Sequence, residues 1–216
     1  AFLNYSPFAA IITNIDREHL DFFRVLSNIK KSFLKFVGKI QNGGVLVINK
    51  DNKNLYNLKS KIQKIAENKN LRVIWYGTMT RHSAYGRIKK LLKVPGMHNL
   101  SNALAAYTLA KALKIEEKII LQALKGYSGI WRRLEYRGGL RFMNHESRIK
   151  GSKNFPLMIP VYDDYAHHPT EIKASLQALR EKYSKSVGFR IVCVFQPHQA
   201  ERLKSLFKDF ASAFDE

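Results

Sequence analysis

The sequence predicts an α/β fold, in which a mostly parallel sheet with flanking helices is followed by a second, smaller unit of the same class. Three observations support this prediction. Short β-branched runs alternate with segments of helical period, which is typical of βαβ units. Glycines and polar turns punctuate the alternation. The 216 residues are 45% hydrophobic and 25% charged, which is the composition of a globular protein with a core of its own.

The first part of the chain is expected to hold three strands with helices between and after them. β-Branched and aromatic residues predict the strands, which are 9–15, 45–48 and 73–76. Apolar residues at helical spacing, or an Ala- and Leu-rich composition, predict the helices, which are 27–40, 55–66, 99–113 and 116–124. A domain boundary is predicted between 128 and 129, because Ser128-Gly129 ends the helical pattern.

The second part, 129–216, is expected to resume the alternation of strands and helices. Residues 134–142 predict a hairpin that turns at Gly138-Gly139. The remaining expected elements are strands at 161–162 and 191–195 and helices at 170–183 and from about 200. The run 191–195 is apolar enough to predict a strand buried on both faces. The polar stretch 144–156 predicts an exposed loop or insertion.

Composition limits the location and the partners of the protein. The single cysteine, Cys193, lies in an apolar run, which predicts a buried thiol in a reducing compartment, so the cytoplasm is the expected location. No apolar window reaches the length of a membrane span. The net charge of +20 would attract polyanions, but the lysines are scattered along helix faces, which favours a solvated surface.

Two polar motifs accompany elements of the first part. Asp16, Glu18 and His19 follow the first strand, where an imidazole and carboxylates could hold a divalent ion, or where Asp16 could simply cap a helix. Asn99 and Asn102 stand three residues apart at the start of a predicted helix. Their amides could match an adenine edge, or could cap a core helix and bind nothing.

The second part carries the most unusual stretch, Tyr162 to Glu171. It places two acids and two histidines on one strand-to-helix turn, a grouping that is costly to desolvate unless a ligand uses it. A helix cap alone would need only Thr170. The segment Phe195-Gln196-Pro197-His198, with Arg202, repeats the arrangement at the next strand end. Arg132 and Arg133 offer guanidinium groups to a phosphate or a carboxylate.

In this order, these segments resemble the Mur ligase family, and most closely those members that act on UDP-N-acetylmuramate and L-alanine. The resemblance rests on 14–21, 96–106, 132–135 and 163–171, of which the last is the most specific. It implies that residues 1–128 are part of a central ATP-binding domain. Residues 129–216 would then be part of an incomplete Rossmann-like C-terminal domain.

The resemblance also implies a role for each candidate residue. His19 would be a ligand of Mg²⁺. The nucleotide would be held by His98, Asn99, Asn102, Arg132, Arg133 and Asp164, with Asp164 at the ribose. The catalytic candidates, which would face the incoming amino acid or the muramoyl carboxylate, are His167, His198 and Arg202.

The implied activity is ATP-driven amide formation in peptidoglycan precursor synthesis, with ATP and Mg²⁺ as cofactors and with UDP-N-acetylmuramate and L-alanine as substrates. Two alternatives stay open. The first is the related ligase that recycles a tripeptide onto UDP-N-acetylmuramate, which shares the Asp-Asp and His-His turn but usually lacks a segment like 195–198. The second is a basic nucleic-acid-binding protein. Gln199 stands where many family members have Arg, which leaves the amino-acid preference open.

The phosphate-cradling loop of the family, a glycine-rich turn ending in Gly-Lys-Thr or Gly-Lys-Ser, is absent from this sequence. Neither Gly43-Gly44 nor Gly138-Gly139 is followed by Lys and a hydroxyl residue. We therefore expect the chain to be a segment of a longer ligase and to be inactive in isolation.

Overall fold

A computed structural model describes residues 2–78, 84–142, 157–184 and 190–215 of the chain. In its first region, three strands form a parallel sheet in the order β1-β2-β3. The strands are β1 (Ala9–Ile12), β2 (Val45–Asn49) and β3 (Arg72–Tyr76). The predicted α/β class, with a parallel sheet and flanking helices, is confirmed.

Helices connect and follow these strands, after a short 3₁₀ helix at Phe2–Asn4. They are α1 (Leu20–Phe23), α2 (Leu26–Lys39), α3 (Lys53–Tyr56), α4 (Lys59–Asn68), α5 (Tyr85–Leu91), α6 (Met97–Ala112) and α7 (Glu117–Gly126). The single helix predicted at 55–66 is therefore two helices, α3 and α4. The side chain of Asn52 caps α3 by accepting a hydrogen bond from the Leu55 N–H.

The sheet of the first region is covered on both faces, because alternate residues of its strands point to opposite sides. Leu46 and Ile48 of β2 pack with residues of α2, α3 and α4 on one face. Val45 and Val47 pack with residues of α5, α6 and α7 on the other. This burial on two faces explains why the strands read as continuous apolar runs.

The second region contains an antiparallel strand pair. Its elements are β4 (Glu135–Phe142), β5 (Leu157–Asp163), α8 (Pro169–Tyr183), α9 (Ala200–Ser205) and α10 (Phe207–Ala211). The predicted hairpin at Gly138-Gly139 is wrong, because β4 runs through both glycines and pairs with β5. The register shifts between Tyr136 and Gly138, where Gly138 has a φ of 119°. The glycines thus accompany a β-bulge, which is the other common use of glycine in a strand.

The strand predicted at 191–195 is also absent from the described structure. Only Ile191 and Phe195 of this run pack against the core around α8 and α10. Val194 is 96% exposed, and Cys193 is exposed rather than buried, which overturns the prediction of a buried thiol. An apolar run alone does not determine whether a strand finds a pairing partner, and β5 is paired only with β4 among the described residues.

Two further predictions are not tested by the fold. The stretch 144–156 lies outside the described residues. The boundary at 128/129 falls in the connection between α7 and β4 and stays a prediction. Within the described part of the chain, every helix is too short or too polar to cross a bilayer.

Candidate functional site

The loop that follows β1 fastens the two regions of the chain together. The Thr170 hydroxyl, at the start of α8, donates to the Asp16 carboxylate at 2.8 Å. The Arg17 guanidinium pairs with Asp209 of α10 at 2.7 Å. The buried His168 ring places Nε2 3.1 Å from the Arg17 carbonyl oxygen. The loop after the first strand is therefore a structural junction.

The next residue of this loop, Glu18, forms the most buried ion pair among the described residues. The Arg202 guanidinium, which is 7% exposed, donates to the Glu18 carboxylate from Nε at 3.0 Å and from Nη2. Burial acts to raise the pKa of Glu18. The hydrogen bond from Arg202, assisted by the His19 N–H and the positive charge of Arg202, outweighs burial and lowers the pKa below its usual value.

A pocket of about 240 Å³ lies beside this ion pair. It is lined by two short segments, 17–21 and 199–202. His19 is exposed at its edge and has a left-handed backbone conformation, with φ 53°, directly before α1. His19 and Arg202, predicted as metal ligand and catalytic residue, thus line one pocket. At this pocket, the positive charge of Arg202 is already compensated by the Glu18 carboxylate.

The described residues do not by themselves provide a magnesium site. Across the described ranges, no group of three or more His, Cys, Asp or Glu side chains is arranged to hold a metal ion. Mg²⁺ also prefers oxygen ligands in octahedral geometry, so one exposed imidazole is insufficient. His19 therefore stays a predicted single ligand.

The turn after β5 is organised by the Asp164 carboxylate. Its oxygens accept hydrogen bonds from the N–H groups of Ala166 at 2.8 Å and Leu134 at 3.2 Å, and from the Ser175 hydroxyl at 2.7 Å. Asp164 therefore connects the entry to β4, the turn and helix α8. Its predicted contact with a ribose would have to be made by a carboxylate that already accepts three hydrogen bonds.

His98 approaches this turn from the first region of the chain, in the first turn of α6. Burial lowers the pKa of His98, while the negative charge of Asp164 opposes the shift and the positive charge of Arg133 adds to it. The buried Nδ1 atom has no hydrogen-bond partner among the described residues. A neutral imidazole with an unused polar atom thus stands within electrostatic reach of Asp164 and Arg133.

Arg132 and Arg133 are held by acids and by aromatic rings. The Arg132 guanidinium lies 5.6 Å from the Trp131 ring centre and 5.2 Å from that of Tyr165. It also donates to Asp163 at 3.2 Å. Arg133 pairs with Glu171 of α8 at 3.2 Å and stays 44% exposed. Both arginines are paired with an acid and partly exposed, and Arg132 is also held between two aromatic rings.

The remaining candidates of the first region are close to His98 in sequence. Asn99 donates from its amide to the Pro95 carbonyl oxygen at 2.7 Å, which fixes the backbone before α6. Asn102 lies one turn beyond His98 and is exposed. Neither amide caps α6, whose N-cap residue is Gly96 and which has no side-chain cap hydrogen bond.

His167 and His198 lie at different places in the second region. Nδ1 of His167 lies 2.8 Å from the Tyr165 carbonyl oxygen and 3.6 Å from Glu171, next to Arg133. His198 is exposed, and its carbonyl oxygen accepts a hydrogen bond from Arg202. The candidates therefore form two groups. We name the first the nucleotide-side cluster; it consists of His98, Arg133, Asp164, His167 and Glu171. The second, the pocket group, consists of His19, His198 and Arg202.

Sequence reasoning missed the residues that join the two regions of the chain. The sequence predicted no contact between the regions for Glu18, His168 or Thr170, although each lies inside a segment that it singled out. Ser175 was missed entirely, because its position on the helix face toward Asp164 depends on how α8 packs. The unusual density of acids and histidines in 16–19 and 163–171 was the available indication.

Comparison with known proteins gives consistent results. Residues 2–110 match the family described as Mur ligase middle domain, and residues 150–216 match that described as Mur ligase, glutamate ligase domain. The chain is 40% identical over 99% of its length to a UDP-N-acetylmuramate–L-alanine ligase of Desulfosudis oleivorans. It is 36% identical over its whole length to a ligase of the same name from Clostridium perfringens. It covers 46% of each, so it spans about half the length of these relatives.

Solved structures with a similar fold are also ligases and synthases. MurF of Acinetobacter baumannii has a TM-score of 0.57 at 20% identity, covering 82% of this chain and 38% of that protein. A murein peptide ligase of Psychrobacter arcticus has a TM-score of 0.52 at 21% identity, covering 92% and 39%. At these identities, the similarity shows the fold alone.

Proposed function

We propose, because this chain belongs to the Mur ligase family, that it is a segment of the ATP-dependent ligase that joins L-alanine to UDP-N-acetylmuramate in peptidoglycan precursor synthesis. Relatives that bear this activity in their names are 35–40% identical to the chain over 99–100% of its length. The single structural observation that supports the proposal is the nucleotide-side cluster, where His98 of the first region lies within electrostatic reach of Arg133 and Asp164 of the second.

The described residues of this cluster fit a nucleotide. His98 has a buried nitrogen without a partner among the described residues, and burial lowers its pKa, which favours the neutral imidazole with one donor and one acceptor nitrogen for a base edge. Arg133 carries an accessible positive charge for a phosphate. We propose that Asn102 contributes its amide beside His98, and that Asn99 and Arg132 hold the backbone and Arg133 in place.

The proposed reaction is amide formation through an acyl phosphate. The muramoyl carboxylate attacks the γ-phosphorus of ATP and releases ADP, and the amine of L-alanine then displaces phosphate and loses a proton. The contribution of this chain would be positioning and charge compensation. His167 and His198 are proposed to face the carboxylate substrates, while Arg202 orders the pocket through Glu18. A cytoplasmic location is proposed with this activity.

The test uses a polypeptide of the relatives' full length that contains this chain. Release of phosphate from ATP should require both UDP-N-acetylmuramate and L-alanine. Glycine and L-serine are compared as amines, because Gln199 leaves this preference open. If a tripeptide is ligated and L-alanine is not, the recycling ligase is the correct function.

The role of the nucleotide-side cluster is tested separately by His98→Ala. The loss of one ligand hydrogen bond should raise the KM for ATP about tenfold, with little change in the KM for the amino acid. The matched control is Met97→Ala, which removes an exposed neighbour on the same helical turn. An unchanged KM for ATP in His98→Ala would contradict the proposed nucleotide contact.

A further inference from the structure

A surface of uniform charge lies on the helices that cover one face of the parallel sheet. Helices α2 and α4 pack against each other and bury Ile29 and Ile62 toward the sheet. On the solvent side, five exposed lysines of the two helices form what we call the lysine face. Its members are Lys31, Lys35, Lys39, Lys61 and Lys64.

The spacing of these lysines concentrates their charge. Lys31, Lys35 and Lys39 are four residues apart and form one stripe along α2, opposite the buried Ile29 and Val37. Lys61 and Lys64, three residues apart, form a similar stripe on α4. Like charges at this spacing destabilise a helix, so their grouping does not serve the stability of the helices themselves.

No acid compensates this charge among the described residues. Glu67 is the only acidic residue in α2 or α4, and its carboxylate accepts a hydrogen bond from Gln63 at 3.0 Å. Across the described part of the chain, Lys111 is the only lysine found in an ion pair. The charge of the lysine face is therefore available to an external partner.

Exposed apolar side chains stand at both ends of α2. Val25, directly before its first residue, is 52% exposed, and Phe22, in α1, is 77% exposed. Tyr5, near its last turn, is 69% exposed, and the adjacent Ser6 hydroxyl donates to the Lys39 carbonyl oxygen at 2.9 Å. The helix of 14 residues is about 21 Å long. Lysines thus lie between two apolar anchors along a single helix.

We propose that the lysine face docks the protein on the surface of an anionic lipid bilayer. Lysines near such a surface are attracted by its negative potential, and aromatic side chains beside them enter the headgroup region. A nucleic acid is the less suitable partner. The lysine face contains no arginine for bidentate phosphate contacts.

The experiment measures sedimentation of the full chain with two kinds of vesicle, phosphatidylcholine alone and phosphatidylcholine with about one third phosphatidylglycerol. Binding is expected only to the anionic vesicles and should weaken as sodium chloride is raised. The test variant reverses three charges of the α2 stripe: Lys31→Glu, Lys35→Glu and Lys39→Glu. Its partition coefficient should fall at least about tenfold.

The matched control reverses an equal number of exposed lysines in and after α5: Lys89→Glu, Lys90→Glu and Lys93→Glu. It changes the net charge equally and should retain binding within about threefold of the unmodified chain. Circular dichroism melting of both variants checks that each is folded. Equal loss in test and control variants, or equal binding to both kinds of vesicle, would overturn the proposal.

A duplex DNA of about 30 base pairs serves as the second probe. Binding to this duplex that depends on the α2 stripe, without binding to anionic vesicles, would also overturn the proposal in favour of a nucleic acid. The readout does not involve ligation, so failure of the docking surface and failure of the proposed ligase function are distinguishable.

Discussion

At the scale of single residues, the Glu18–Arg202 pair is the contact with the clearest energetic consequence. Glu18→Gln removes the negative charge beside an arginine that is 7% exposed, and an uncompensated buried charge is costly. We expect the variant to lose about 2 kcal/mol of unfolding free energy, as measured by urea denaturation. Asp209→Asn is the control, because its pair with Arg17 is 47% and 45% exposed. It should lose less than about 1 kcal/mol, and equal losses would contradict the assignment.

The same pair predicts a pH dependence with a definite sign. The pKa of Glu18 is lowered in the folded protein, so the unfolded state binds its proton more readily. The stabilisation is complete above the ordinary glutamate pKa of about 4.3 and disappears as the pH falls through the lower folded pKa. The difference in unfolding free energy between the unmodified chain and Glu18→Gln should therefore shrink between pH 5 and pH 3, in urea titrations at each pH. A constant difference would be inconsistent with this linkage.

The sequence indicated candidate residues but not their partners. Asp164 stands in a turn with an unusual density of acids and histidines, and His98 was indicated by the family resemblance; the roles of both stay predictions. The hydrogen bonds of Asp164 could not be predicted, because its contacts with Leu134 and Ser175 link positions 30 and 11 residues apart. Such contacts depend on how α8 and the entry to β4 are placed around the turn after β5.

At the scale of elements, helix α8 depends on His168 at its N-cap position. Nδ1 of this buried ring accepts the Thr170 N–H at 3.2 Å, and Nε2 faces the Arg17 carbonyl oxygen. His168→Ala removes both and should cost about 2 kcal/mol, or roughly 4–8 °C in melting temperature. His168→Asn, which restores a capping side chain, should recover about half of this loss. Equal melting temperatures of the two variants would show that the cap contributes nothing.

The elements that the sequence predicted wrongly share a physical reason. Gly138-Gly139 was interpreted as a turn because glycine permits a positive φ, yet the same freedom serves a bulge within β4. The run 191–195 has strand composition, but pairing needs a free edge at the right place, which composition does not encode. The helices and the three parallel strands were predictable because their apolar period matches the face that they bury.

At the scale of the whole molecule, the net charge of +20 sets the response to salt. Self-repulsion of excess positive charge destabilises the compact state, and salt screens it. Raising sodium chloride from about 10 mM to about 200 mM should therefore raise the melting temperature by roughly 2–4 °C, measured by scanning calorimetry. The triple charge-reversed variant of α2 has a lower net charge and should respond less. A fall in melting temperature with salt would mean that screened ion pairs outweigh the repulsion.

The overall architecture could be predicted as two α/β parts, because the alternation of apolar runs and helical segments extends along the chain. The relation between the parts could not, since it depends on contacts between residues far apart in sequence, four of which are polar contacts of a single loop. These four contacts arise from Asp16, Arg17 and Glu18, three neighbours in one loop. The side chain of each neighbour binds a different helix of the second region: α8, α10 and α9 in turn.

This arrangement constrains how the chain can be recombined. A chimera that takes its carboxyl-terminal half from another homologue would have to bring a hydroxyl at 170, an acid at 209 and an arginine at 202. Otherwise, residues 16–18 would need to be exchanged together with that half. Substitutions at these six positions should consequently be correlated among orthologues, and grafted halves that break the correlation should assemble poorly even when each folds alone.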